Sequence, residues 1–174
     1  LGVLAERPSP ESGAIANALG LDGVPSSVEY TELFELNLYL YASVHLGDEG
    51  ALGGEARDRV AGFWRALGLV PPAEPDHLTA LLGLYATLAE AGAPDDVQRA
   101  LLWEHLASWL PPWLDKVVQL AKPFHRSWAR LLGRALHEEI AGLGRPALLP
   151  LALREAPGLP AGDGSARDWV AGLL

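Results

Sequence analysis

Between Phe124 and Leu143 the residues Phe124, Trp128, Leu131, Leu132, Ala135, Leu136, Ile140 and Leu143 recur with the period of an α-helix over about five turns. A stripe of that length, opened by Pro123 and closed by Gly144, needs a packing partner along all of it, which makes it the expected centre of the fold. Shorter pieces of the same pattern fill the rest of the chain. Helices are expected over Glu11–Leu19, from Ser26 through Tyr30, Leu33 and Phe34, and around Val60, Phe63, Trp64 and Leu67 before Gly68. Two more, one carrying Leu78, Leu81, Leu82, Tyr85 and Leu88 up to Gly92 and one running from Pro94 to about Leu110, should pair as an antiparallel hairpin. Pro111-Pro112 is read as a break before a helix from Trp113 to Ala121. Ser26-Ser27-Val28-Glu29 fits a capping box, and Leu38–Tyr41, which alternates, is read as helix followed by an irregular turn.

This is an all-α pattern, and 174 residues make one domain of ordinary size, so a single-domain helical bundle is expected over 1–174. Gly47–Gly54 reads as a flexible loop. Val70–Pro75 holds three prolines, each fixing φ and withholding an amide donor, so it should run extended and act as a hinge near 70–75. Such a hinge permits exchange of a segment between copies, so a monomer with some domain-swapped dimer is expected. Beyond Gly144 the chain turns Pro- and Gly-rich, with a terminal helix expected over Ser165–Leu174.

Charge narrows the partners. The chain has 13 Lys and Arg against 22 Asp and Glu, a net charge of −9, which disfavours nucleic acid and anionic membranes and favours a basic partner. It has no Cys, which removes disulfides, thiolate metal sites and cysteine nucleophiles. Its uncharged runs are too short to span a bilayer, and Leu1–Pro10 lacks the layout of an export signal, so a cytoplasmic protein is expected. Glu104-His105 and His137-Glu138-Glu139 do not make a metal site, because adjacent helical residues point about 100° apart. No nucleophile elbow or phosphate-cradling loop occurs, so no catalytic residue, metal or cofactor is assigned.

Pro71-Pro72-Ala73-Glu74-Pro75-Asp76-His77-Leu78 is more informative, since a stiff stretch delivers acids and an imidazole to the start of an amphipathic helix. Asp76 could simply accept from the free amides of that helix's first turn, with Glu74 favouring the positive end of its dipole. Alternatively, Glu74 and Asp76 present negative charge beside a groove while His77 bonds a bound peptide, with Tyr85, His105 and Trp109 supplying apolar and aromatic surface.

The order Tyr30-Thr31-Glu32-Leu33-Phe34, Tyr41-Ala42-Ser43-Val44 and Glu74-Pro75-Asp76-His77-Leu78 resembles the TorD/DmsD/NarJ family of molybdoenzyme-assembly chaperones. Trp103-Glu104-His105-Leu106-Ala107-Ser108-Trp109-Leu110-Pro111 is similar to that family's His-Leu-x-x-Trp-x-Pro segment, and Phe124-His125-Arg126 to its helix-opening aromatic. The resemblance implies an all-helical cytoplasmic chaperone, not an enzyme, that binds the twin-arginine signal peptide or another segment of a molybdopterin-dependent oxidoreductase subunit. It would hold that subunit until the cofactor is inserted. The family's Asp-His pair maps onto Asp76 and His77, and the later motif onto His105 and Trp109. Many relatives carry an acid where this chain has Ala73. The competing readings are a helical scaffold for a folded subunit and a nucleotide-handling helical enzyme.

Overall fold

The computed structural model describes residues 1–47, 50 and 52–148. Their helices are α1 (Ser12–Ala18), α2 (Ser27–Tyr30), α3 (Ala42–Leu46), α4 (Gly54–Ala66), α5 (Leu78–Glu90), α6 (Asp95–Ala100), α7 (Leu110–Leu120) and α8 (Pro123–Leu143). A 3-10 turn, Gly2–Ala5, precedes them, and no strand occurs among the described residues. The fold is all-α. Asp48, Glu49 and Ala51 of the Gly47–Gly54 loop, and the whole of Ser165–Leu174, lie outside the described residues.

α8 buries Phe124, His125, Trp128, Ala129, Leu132, Leu136 and Ile140, and packs mainly against α7. Phe34 stacks on Trp113 at 5.7 Å and meets Trp128 edge-on at 6.0 Å, so aromatic faces join α7 and α8 to the segment after α2. Both ends of α8 are tied by distant groups. Ser26 Oγ accepts from Glu29 N at 3.4 Å as a capping box requires, but the Glu29 carboxylate does not return the bond. It reaches instead across the core, where Oε1 accepts from Lys122 N at 2.6 Å. Gly23, at φ +77°, lies so close to this end of α8 that a Cβ would stand 3.1 Å from Phe124 N. At the other end Trp103 Nε1 donates to Gly144 O and Arg99 Nε to Leu143 O.

Three local expectations are corrected. Leu38–Tyr41 is not helical: Leu38 and Leu40 lie in bends, Leu40 is buried, Tyr39 is exposed, and Tyr41 forms an antiparallel bridge with His77. The irregular turn is there without the helix, and the segment is tied to α5 by Leu40 O accepting from Leu78 N at 2.8 Å. Pro111 and Pro112 do not break the chain; they sit in the first turn of α7, where an amide has no intrahelical acceptor to lose. The helix from Pro94 stops at Ala100 and continues as a π-helical turn, Leu101–Leu106, closed by Ala107 N donating to Leu102 O at 2.7 Å. A second such turn, Thr31–Glu35, continues α2. In Leu101–Leu106 five of the six residues, Leu101, Leu102, Trp103, His105 and Leu106, are buried, a wider arc than one face of a 3.6-residue period supplies.

Candidate functional site

The proline-rich stretch leads into the bridge between Tyr41 and His77, held to α4 by Arg57 Nη2 donating to Ala73 O at 2.8 Å. Asp76 is 1% exposed. Its Oδ2 accepts from Ser43 N at 3.1 Å and its carbonyl from Ala42 N at 3.0 Å, so it pins the start of α3 to the start of α5. This corrects both sequence readings: Asp76 neither caps α5 nor presents charge at the surface. The cap on α5 is His77, whose Nδ1 accepts from Thr79 N at 3.3 Å.

His77 remains half-buried, its ring edge-on to Tyr41 at 4.9 Å. With Nδ1 accepting, the neutral ring carries its proton on Nε2 and offers it as a donor. Burial pushes its pKa down, against the raising pull of Glu74, Glu6 and Asp76. Glu74 is exposed beside Tyr41, whose hydroxyl is pushed up to about 12 by burial and then by that carboxylate. Glu6, Tyr41, Glu74 and His77 thus form one acidic surface corner. The bridge brings Tyr41 to His77 and the packing of the 3-10 turn on α5 brings Glu6, and neither contact is local in the sequence.

Thr79 connects this corner to a cleft of about 400 Å³ between α5, α8 and the 3-10 turn. Its amide donates to His77 and its hydroxyl to Gly2 O at 3.2 Å. The cleft walls are mainly apolar, with Leu82, Leu102, Leu106 and Leu136 among them. At its edge Tyr85 OH donates to Glu139 Oε2 at 2.6 Å, and burial together with that bond raises the tyrosine pKa. Tyr85 lies on the wall of this cleft, and Glu139 is the one carboxylate among the residues that line it.

His105 and Trp109 are elsewhere. His105 is 6% exposed, its ring against Phe63 at 5.3 Å, and burial with help from the Arg59 charge pushes its pKa down to about 4. Trp109 is 2% exposed, lies flat against His45 at 4.8 Å, and donates Nε1 to His105 O at 2.8 Å. Neither presents a surface to the cleft. His105 lies inside the π-helical turn and Trp109 just ahead of α7, and their rings pack against Phe63 and against His45 and Trp113 instead of lining the cleft.

Among the described residues no cluster of His and carboxylates could hold a metal ion, and no helix is long and apolar enough to cross a membrane. What the arrangement can do is bind: an apolar cleft, one imidazole donor and three carboxylates, Glu6, Glu74 and Glu139, suit a segment mixing basic and apolar side chains. Residues 23–115 match the family model described as nitrate reductase delta subunit, more than half of the 174 residues and including Tyr41, Glu74 and His77 but neither Glu6 nor α8. No curated protein matches the chain.

Proposed function

We propose, since the chain belongs to the nitrate reductase delta subunit family, a family of molybdoenzyme-assembly chaperones, that it binds the signal peptide of a molybdopterin-dependent oxidoreductase subunit. It does so in the cytoplasm and holds that subunit until its cofactor is inserted and it is exported or assembled. The chain itself makes no covalent bond in this role. The observation that carries the reading is the apolar cleft of about 400 Å³ with Glu139 in its wall, joined through Thr79 to the corner that holds Glu6, Glu74 and His77.

Each residue has a part. Glu74, with Glu6 and Glu139, receives the basic groups of the peptide, and His77 donates from Nε2 to a peptide carbonyl. Tyr85 and the leucines of α5 and α8 take its apolar residues. Asp76 acts from behind by holding the corner in shape. His105 and Trp109 act from the core, fixing the turn that supplies Leu102 and Leu106 to the wall. The net charge of −9 speeds encounter with a cationic leader, while burial of apolar surface supplies affinity. The non-helical 70–75 stretch between α4 and α5, with Val70 88% exposed, is the segment through which a monomer would exchange with a swapped dimer, to be read by sedimentation of fresh and aged samples.

The test is a fluorescence titration with the leader peptide of the client subunit. Glu74→Gln with His77→Ala should weaken binding about tenfold, one ordinary hydrogen bond lost at His77 together with the smaller, salt-screened pull of an exposed charge lost at Glu74. Unchanged curves would remove the assignment. Equal capture of the subunit with and without its leader would favour a scaffold for a folded subunit.

A further inference from the structure

Residues 116–137 contain Lys116, Lys122, Arg126, Arg130 and Arg134 and no Asp or Glu, in a chain whose net charge is −9. Folding gathers this charge. Arg126, Arg130 and Arg134 follow one another at the four-residue spacing that stacks side chains on one helix face. Arg126 is turned back, with Nη2 donating to Ala121 O at 2.7 Å. Arg130 and Arg134 are exposed, and neither forms an ion pair with a carboxylate among the described residues.

Both line a cleft of about 440 Å³ between α7 and α8, on a different flank of α8 from the acid-rimmed cleft. Its walls and floor include Leu114, Val118, Ala129 and Gly133, and Asp115 lies at its side. At Gly133 a Cβ would meet Leu114 Cδ1 at 3.8 Å, so the glycine leaves open a space that a side chain would fill. Most of α8's contribution lies well inside the helix, where backbone amides are already bonded, so the site lacks the free N–H groups that usually cradle phosphate. What remains is a pair of guanidinium forks over an apolar strip. That combination matches carboxylate side chains on a segment with an apolar face, each fork able to take one carboxylate with two parallel bonds.

We propose that this cleft docks an acidic, amphipathic segment of a partner polypeptide, with Arg130 and Arg134 each receiving a carboxylate while apolar residues cover Leu114 and Val118. The site is independent of the signal-peptide reading, because it selects the opposite charge on a different surface. A client could therefore be held at two places by segments of opposite sign.

The test is fluorescence anisotropy of the full chain with a labelled helical peptide carrying two Glu four residues apart between leucines, and with the same peptide bearing Gln. The Glu peptide should bind, the Gln peptide should bind at least about tenfold more weakly, and affinity should fall as salt rises. Arg130→Gln with Arg134→Gln should lower Glu-peptide affinity at least about tenfold and leave binding of a basic leader peptide unchanged. If the double variant does not fold by circular dichroism, each single variant should lose part of the affinity. Failure of the Glu peptide to bind, equal affinity for both peptides, or wild-type affinity in the folded variants would overturn the proposal. So would displacement of the Glu peptide by inorganic phosphate at matched ionic strength, which would make the cleft a phosphate site.

Discussion

Glu29 and Asp76 use one device in two settings. Both are buried acids that accept from a backbone amide at the start of a distant helix: Glu29 from Lys122 N ahead of α8, Asp76 from Ser43 N in α3. Around Glu29 everything is core. His125, fully buried, brings Nδ1 to 3.2 Å from its second oxygen, and Phe34 and Phe124 meet that ring edge-on at 5.1 and 4.7 Å. Around Asp76 the core ends: His77 is half-buried and Glu74 is exposed. The first carboxylate closes the interior, and the second supports a surface. An acid beside a candidate site thus declares its role by its acceptor bonds rather than by its neighbours.

The comparison predicts unequal losses. Glu29→Ala should cost about 3–4 kcal/mol, because it strips the acceptor from Lys122 N and leaves a cavity lined by an imidazole with no well-directed hydrogen bond. A shift of the urea midpoint with an unchanged slope would read this directly. A loss under about 1 kcal/mol would mean that the carboxylate is not what ties α2 to α8.

Acid should act through the buried imidazoles. His105 has its folded pKa pushed down to about 4, so its contribution is whole above the ordinary histidine value of 6.5 and is lost as pH falls toward 4. Burial also lowers His125 and His77, whose contributions fade in the same direction. Between pH 7 and pH 4 the protein should lose about 3 kcal/mol through His105 alone. His105→Gln should flatten that dependence. Urea titrations across this range check both, and a wild-type curve without slope would break the expected difference between buried and half-buried rings.

Third in size, Asp76→Ala should cost about 2 kcal/mol, since only the Ser43 amide loses its acceptor while the bond from Ala42 N to the backbone carbonyl survives. Asp76→Asn keeps an oxygen in place and should cost under about 1 kcal/mol. The pair of variants, compared in urea melts, separates a need for an acceptor from a need for charge.

What the sequence made legible follows from which interactions are local. Helical period and Pro/Gly punctuation mark α1, α5 and α8 to within a few residues and the end of α4. Partners that lie far apart in the chain were invisible: Glu29 with Lys122, Asp76 with Ser43, and Tyr85 with Glu139 join residues 93, 33 and 54 positions apart. His105, inside the π-helical turn Leu101–Leu106, and Trp109, just ahead of α7, are core, and a spacing of four does not by itself separate a groove-facing pair from a buried one. The cationic run 116–137 is plain in the sequence, but only folding sets Arg130 and Arg134 over the apolar strip between α7 and α8.

The smallest effect is the most discriminating. Glu74 lies two residues before Asp76, is exposed, and takes part in no ion pair among the described residues. Glu74→Gln should therefore leave stability within about 0.5 kcal/mol of wild type. As a rim charge it should act on encounter, lowering the association rate of an arginine-bearing leader peptide by about two- to threefold at low salt, with the effect vanishing as salt screens it. Stopped-flow association at two ionic strengths measures this. If Glu74→Gln instead destabilised the fold while leaving the rate unchanged, both acids of the segment would be structural, and the acidic corner would have no ligand to meet.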